Sequence, residues 1–482
     1  MRKRAATANW AWTPIKPSLA HPNNHTLFAL QPKSPKLSPP RTRVKVLGLT
    51  SSVKRVAHMV FKRDHSTVAS SESPKLAAED SDSKKLRASS PVQLPVSPAR
   101  SSSPRSNEEG SGVLVPELPE FLMQERHSVT KKFKLLEARQ RDRMVDGVKN
   151  GNNSPFFIDE RDHITCRNRY ANIYVWNSTR VKLGIDAADN DYINASHIAL
   201  ENPRSGVVKR YVATQGPKQD QARHLWLMAL EQTAGPGVVV MLTKTFEMGR
   251  EKCYEYFPVD MDQPTRRFDR PEPGETEPFI FEINLLEYTY DEDARTELRK
   301  VEIKVLEGTH TAEPDSEGFA PELKAGDSKI VWHMLFKGWP DWNVPEGNDS
   351  EALMKLIELA NSKNEVAESP LIVHCSAGVG RSGTFIALDH LLTEIEHGTY
   401  DIENGDPIFD LVDRLREQRM YMVQSEPQYE YLYKIVREKL ESRLGVPPGS
   451  RFLSPASTPG GMRTPSIKTA SRRPSLEPIS AK

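Results

Sequence analysis

The chain has 482 residues, with 66 Lys+Arg against 65 Asp+Glu, three Cys and 37% apolar residues, which is enough for one large domain or two to three ordinary ones. The near-zero net charge hides a segregation: residues 1–100 hold 18 basic and 5 acidic residues, 443–482 hold 7 and 1, and the middle holds 41 and 59, a net of −18. Three sparse cysteines imply no disulfide framework, no CxxC or Cys/His cluster suggests a metal, and no long apolar run suggests a membrane span.

In chain order, residues 1–112 are rich in Ser, Pro and Lys, as in "SPKLSPPRTR" and "SESPKLAAEDSDSKK". Such a stretch cannot bury enough apolar surface to offset chain entropy, so it reads as a disordered basic arm. The start, "MRKRAATANWAWTPIKPS", has no apolar core of a secretory signal, and its loose likeness to a transit peptide is broken early by Pro. Residues 446–482 read as a second disordered basic tail. The sign of the arms alone does not choose between acidic proteins, anionic lipid and nucleic acid.

Between the arms, Phe121–Met144 reads as a helix. "DYINASHIAL" and "KRYVATQGP" read as strand and turn, "DQARHLWLMALEQTAG" as an amphipathic helix closed by Gly235, and "GVVVMLTK" as a buried strand. "FIFEINLLEYTY", "RKVEIKVLE" and "SKIVWHMLFKGW" alternate as strands do. "SEALMKLIELANSK", "RSGTFIALDHLLTEIEHG", "PIFDLVDRLREQ" and "PQYEYLYKIVREKLESRLG" are helical. Strands first and helices last give one mixed α/β (α+β) domain over 113–445.

The densest chemistry lies in "LIVHCSAGVGRSGTF", 371–385. The strand "LIVHC" delivers Cys375 at its carboxyl end, and a helix opens near Arg381. Gly378 and Gly380 permit tight turns whose N–H groups, with the helix N-terminus, form an anion cradle suited to a phosphate or sulfate. The field of such a cradle favours the thiolate of Cys375, a nucleophile. The planar fork of Arg381 can grip two phosphoryl oxygens, and Ser382 can donate to the departing thiolate. A Cys and an Arg six apart arise easily by chance; the full string His374, Cys375, Gly378, Gly380, Arg381, Ser382, Gly383 does not.

"VHCSAGVGRSGTF" resembles the signature loop of the tyrosine-specific, non-receptor protein tyrosine phosphatases, and the likeness extends over about 330 residues. It implies a single domain with a highly twisted mixed sheet flanked by helices, and hydrolysis of phosphotyrosine without cofactor or metal. It implies that Ser376, Ala377, Gly378, Val379 and Gly380 bind the phosphoryl group and that His374 supports the loop. "GWPDWNVPEG" resembles the family's mobile loop, with Trp339 on the lid and Asp341 as general acid and then base. Asn343 stands where Gly is usual. "CRNRYANIYVWNSTRVKL" resembles the substrate-recognition loop, in which Tyr170 sets pocket depth; Asn172 stands where Asp is usual. "MVQSEPQYEYLY" resembles the loop whose Gln424 and Gln428 position water and substrate. In "MLTKTFEMGREKCYEYFP", Glu247 and Lys252 match residues that orient the Arg and the lid Asp. Tyr192 and Gln215 match framework positions. The stretch from Cys253 to Trp339 is longer than usual, with surface insertion near "DRPEPGETEP" or "EGTHTAEPDSEGFAPELKAGDS".

The arms carry Ser34, Ser38, Ser73, Ser90, Ser97 and Ser103 before Pro, then Ser454, Thr458 and Thr464, with Ser475 after "RRP", all of types that kinases modify. "RTRVKVLGL", 41–49, resembles a docking peptide for MAP kinases, which makes such kinases candidate partners beside phosphotyrosine proteins. Nucleic acid is not an expected partner. The expected compartment is the cytoplasm, with the nucleus as a further location. A dual-specificity phosphatase and a catalytically weak phosphotyrosine-binding scaffold remain the alternatives.

Overall fold

The computed structural model describes residues 118–185, 190–268, 279–312, 322–340, 343–398, 400 and 405–445. Both arms, the segment 269–278, Asp341 and Trp342 lie outside the described residues.

Among the described residues, nine strands form one mixed sheet: β1 Arg180–Lys182, β2 Tyr192–Glu201, β3 Val208–Thr214, β4 Gly237–Met241, β5 Thr265–Phe268, β6 Ile280–Asp291, β7 Thr296–Glu307, β8 Ser328–Phe336 and β9 Leu371–His374. Their order is β1-β2-β3-β9-β4-β8-β7-β6-β5. The pairs β3–β9, β9–β4 and β4–β8 are parallel, and the outer pairs are antiparallel. Two short ribbons, Phe246–Glu247 with Arg250–Glu251 and Thr309–Thr311 with Glu322–Lys324, stand beside it. The second ribbon closes one of the expected surface insertions.

Among the described residues, the helices of more than one turn that cover the sheet are α1 Arg126–Asn150, α2 Ala222–Gln232, α3 Asn348–Lys363, α4 Gly380–His397, α5 Pro407–Gln418 and α6 Glu426–Leu444. The core has one large cluster on each side. Leu371 and Val373 of β9 and Val238 and Val240 of β4 join the cluster of α1, α3, α4, α5 and α6. Ile372, Val239 and Met241 join that of α2. Central strands flanked on both faces need apolar residues at every position, which "LIV" and "GVVVM" supply.

Two helix readings are corrected. The expected helix Phe121–Met144 is a 3₁₀ turn at Glu120–Leu122, then α1, which runs on to Asn150 and is capped by Gly151 at φ +55°. The expected amphipathic α2 is buried at every position from Ala222 to Leu230, and it ends at Gln232 rather than at Gly235. Its outer face is covered: Trp226 Nε1 donates to Tyr256 O at 2.9 Å and Arg223 Nη2 to Phe279 O at 2.9 Å.

Candidate active site

Four parallel strands end beside one another at the centre of the sheet, and β9 is flanked there by Thr214 of β3 and Met241 of β4. The carboxyl ends of such strands are where open α/β sheets place ligands. Cys375 leaves β9 at this point, buried at the floor of a cleft of about 330 Å³.

The loop 375–380 is held from behind through its carbonyls. Ser376 O accepts from Gly216 N at 3.0 Å. Arg419 Nε donates to Gly378 O at 2.8 Å and its Nη2 to Ala377 O at 3.3 Å. Val379 O accepts from the N–H groups of Gly383 and Val423, each at 3.1 Å. With these carbonyls engaged outside the cleft, the Gly378 N–H points to the floor, 3.2 Å from Cys375 Sγ. Gly378 has φ +70°, and a Cβ there would stand 2.0 Å from Thr214 O, so no other residue fits.

Arg381, in the first turn of α4, is fixed by a bidentate pair with Glu247, Nη1–Oε1 at 2.7 Å and Nη2–Oε2 at 2.9 Å, and by Leu242 O at 3.1 Å. Burial alone would push the Glu247 carboxyl up. The Arg381 guanidinium, with Lys244 N and Thr243 Oγ1, outweighs it and holds the carboxyl below its usual range. The Ser382 hydroxyl is buried without a hydrogen-bond partner, so it does not donate to the thiol in this state.

His374 is fully buried, and burial pushes its imidazole down to about 4, so it is neutral. Its Nδ1 lies 3.1 Å from Cys375 O and its Nε2 2.7 Å from Tyr256 Oη. Tyr256 Oη also meets His333 Nε2 at 2.9 Å. One neutral arrangement satisfies all three contacts: His333 donates to Tyr256, Tyr256 to His374 Nε2, and His374 Nδ1–H to the carbonyl.

The rim gathers Tyr170, Asn172, Arg250, Lys252, Gln424 and Gln428. Tyr170 Oη is 2.7 Å from Ser376 Oγ, which donates to Lys252 O at 2.7 Å, so the rim tyrosine is tied to the floor. Gln428 Oε1 accepts from Gln424 N at 3.1 Å and Ser425 N at 3.3 Å, closing a capping box at the start of α6. Gln428 thus shapes the Gln424 turn as well as bordering the cleft. Trp339 is buried, its Nε1 donating to Asn343 O at 2.9 Å. Asn343 is not among the residues with positive φ, so the missing Gly imposes no left-handed strain. Asp341, expected as the acid, lies outside the described residues.

The sequence reading missed Arg419, Tyr256, His333 and Arg416. Arg419 is fully buried, also bonded to Asn194 Oδ1 at 2.7 Å and Ser196 Oγ at 3.1 Å, with its guanidinium pushed down to about 10 by burial. Arg416 holds Met422 O and Val423 O at 3.0 and 2.9 Å, fixing the turn before Gln424. The one available signal was the pair Arg416 and Arg419 just ahead of the apolar "MYMV".

The protein-tyrosine phosphatase family profile matches residues 165–438. Tyrosine-protein phosphatase 1 of Saccharomyces cerevisiae is 32% identical, over 65% of this chain and 95% of that protein. Tyrosine-protein phosphatase 2 of Schizosaccharomyces pombe is 33% identical over 57% of this chain, which spans only 34% of that relative. The solved catalytic domain of human protein tyrosine phosphatase non-receptor type 18 shares the fold, with TM-score 0.50 and 24% identity over 66% of this chain and 98% of that one. A family match across more than half of the chain, a relative covered almost end to end and a cysteine–arginine loop of this build agree: the chain belongs to the protein-tyrosine phosphatase family.

Proposed function

We propose that this chain hydrolyses phosphotyrosine in proteins through a cysteinyl-phosphate intermediate, within a single catalytic domain spanning 113–445. The observation that carries the reading is the pairing of a buried Cys375 with an Arg381 clamped by Glu247, at the floor of a cleft rimmed by Tyr170. The Cys375 thiolate attacks phosphorus in line and the bond to the tyrosyl oxygen breaks. Asp341 gives that oxygen its proton. The loop N–H groups and Arg381 hold the charge developing on the equatorial oxygens, the largest electrostatic contribution. Water placed by Gln424 then attacks phosphorus, Asp341 takes its proton, the P–S bond breaks and phosphate leaves with the thiolate restored. Depth supports tyrosine over serine, because only a long aryl ester reaches a floor cysteine past Tyr170.

The roles of Asp341 and the lid rest on the resemblance of "GWPDWNVPEG", as does docking of MAP kinases on 41–49, outside the described residues. The compartment proposed is the cytoplasm; no described helix is long and apolar enough to cross a membrane. The test is hydrolysis of para-nitrophenyl phosphate and a phosphotyrosyl peptide in the presence of a chelator. Cys375→Ser should abolish turnover and retain substrate binding, and Asp341→Ala should lower kcat far more than it changes KM. Substantial turnover by Cys375→Ser would sink the mechanism. Phosphothreonine peptides cleaved as fast as phosphotyrosine ones would favour dual specificity.

A further inference from the structure

Part of β6 is bare sheet edge. Strand β5 pairs with it only from Phe281 to Asn284, and one further bond follows, Leu285 N donating to Pro264 O at 2.7 Å. From Leu286 to Asp291, β6 pairs with β7 on one side and, among the described residues, with no strand on the other. This run is about 20 Å long. It holds no Pro and no Lys, the residues that usually blunt a free edge. A bulge between Leu285 and Glu287 marks only its start.

The two faces of this edge differ. Tyr288 and Tyr290 lie opposite Arg299 and Glu297 of β7, and the Arg299 guanidinium stands 4.9 Å over the Tyr288 ring. Arg299 also donates to Pro258 O and Val259 O at 3.0 and 3.3 Å. The segment of Val259 and Met261 is therefore anchored to this end of the sheet, by Arg299 at its start and by the Pro264–Leu285 bond at its end. Leu286, Tyr288, Tyr290, Val259 and Met261 are each at least 40% exposed. Single exposed apolar residues need no explanation; a group of them beside a free edge does. Alternation turns Glu287, Thr289 and Asp291 to the other face. The ammonium of Lys300, across from Glu287, is placed over the Trp332 ring at 5.5 Å, and no described residue pairs with the Glu287 carboxylate. Glu292 and Asp293, both exposed, continue the acidic side into the turn.

We propose that Leu286–Asp291 takes an extended peptide of a partner protein as an added strand, a peptide in which Lys or Arg alternates with apolar residues. The unpaired N–H and C=O groups of β6 supply the ladder, and the two faces supply the selectivity. The peptide's apolar side chains meet Tyr288 and Tyr290, and its cations meet Glu287 and Asp291. A second copy of this chain fits badly. Two such edges related by a two-fold axis at Thr289 set Glu287 against Asp291, and like charges directly opposite destabilise a pair. None of these residues lines the Cys375 cleft, so the edge holds a partner while the cleft stays open. This inference does not depend on the reaction assigned to Cys375.

The test is binding of a fluorescent heptapeptide of alternating Lys and Val to the full chain, with amide hydrogen exchange as the map. The expected result is binding that slows exchange over 286–291. Affinity should fall by about 10-fold or more when the same residues are arranged as a block of Lys and a block of Val. It should fall as far when two adjacent central residues of the alternating peptide are N-methylated, which keeps the charge and blocks either edge of the added strand. Glu287→Lys should weaken the Lys–Val peptide by about 5-fold or more and strengthen binding of an alternating Glu–Val peptide. Loss of fold would not produce that exchange of preference. Equal binding of the block or N-methylated peptide, no change of preference in Glu287→Lys, or slowed exchange only outside 286–291 overturns the proposal. Exchange over 286–291 that is slow without peptide and quickens on dilution by about a hundredfold assigns the edge to a second copy of the chain and also overturns it.

Discussion

Glu247 and Arg381 meet fork to fork, through two bonds of 2.7 and 2.9 Å, although 134 residues separate them in the chain. The pair fixes the guanidinium plane before any anion arrives, so orientation is built into the resting site. Glu247→Gln should lower kcat/KM by about 10- to 100-fold, with more of the loss in kcat for a small aryl phosphate, because in the proposed reaction Arg381 acts mainly on transition-state charge. Steady-state kinetics on para-nitrophenyl phosphate reads this. Because the folded-state carboxyl lies below its usual value, the pair stabilises the fold at neutral pH, and that contribution is lost as pH falls through the folded value. The stability gap between the chain and Glu247→Gln should therefore shrink below about pH 4.

Three buried histidines make acid sensitivity a property of the whole domain. Burial lowers the imidazoles of His224, His333 and His374. Unfolded, each titrates near 6.5. Unfolding below that pH takes up protons that the folded state refuses. Stability should be level above about pH 6.5 and fall toward pH 4, with a slope of about 1.4 kcal/mol per pH unit for each histidine that titrates. Urea midpoints across this window measure the slope; a flat profile refutes the neutral assignment.

Tyr256→Phe removes the hydroxyl between His333 and His374 and leaves two buried ring nitrogens without it. The expected cost is about 1–3 kcal/mol of stability, seen in the same urea experiment.

Gly378 and Gly380 stand two apart in one loop and should respond differently to Ala. Gly378→Ala would place a Cβ 2.0 Å from Thr214 O at φ +70°, so the loop must move and activity should drop by about 1000-fold or more. At Gly380 the nearest atoms are side-chain ends, Gln428 Oε1 at 3.1 Å and Gln424 Oε1 at 3.3 Å. Those ends can shift, so Gly380→Ala should fold normally and slow hydrolysis of the cysteinyl phosphate rather than its formation. Burst-phase kinetics separates the two steps.

Asn172→Asp adds a carboxylate to a rim that already holds Arg250 and Lys252. It should lower KM for phosphotyrosyl peptides by several-fold, since a charged acceptor strengthens bonds from peptide N–H groups. Hydrolysis of para-nitrophenyl phosphate, which has no such groups, should stay level. An unchanged peptide KM removes the assignment.

What the sequence revealed followed the range over which its signals act. Strand, turn and helix around Cys375 lie within fifteen residues, and apolar runs with paired glycines declare them locally. The burial of α2 was illegible because its cover comes from Tyr256 and Phe279, residues of remote segments that carry no mark of where they will pack. Arg419 was illegible for the opposite reason: an Arg just after a helix reads as a solvated charge favoured by the helix dipole. Only the fold shows that its donors are spent on Gly378, Ala377, Asn194 and Ser196.

Arg419 also sets when the site comes into being. The loop around Cys375 is complete only when β2, near residue 195, and the turn after α5, near residue 420, have met around it. These contacts close loops of more than two hundred residues, among the slowest events of folding. During synthesis, a growing chain that has made Cys375 but not yet Arg419 holds its thiol without the bonds from Arg419 that hold the loop around it. The proposed nucleophile and its support are thus separated in time, and the cysteine passes through the early life of the chain as an ordinary side chain.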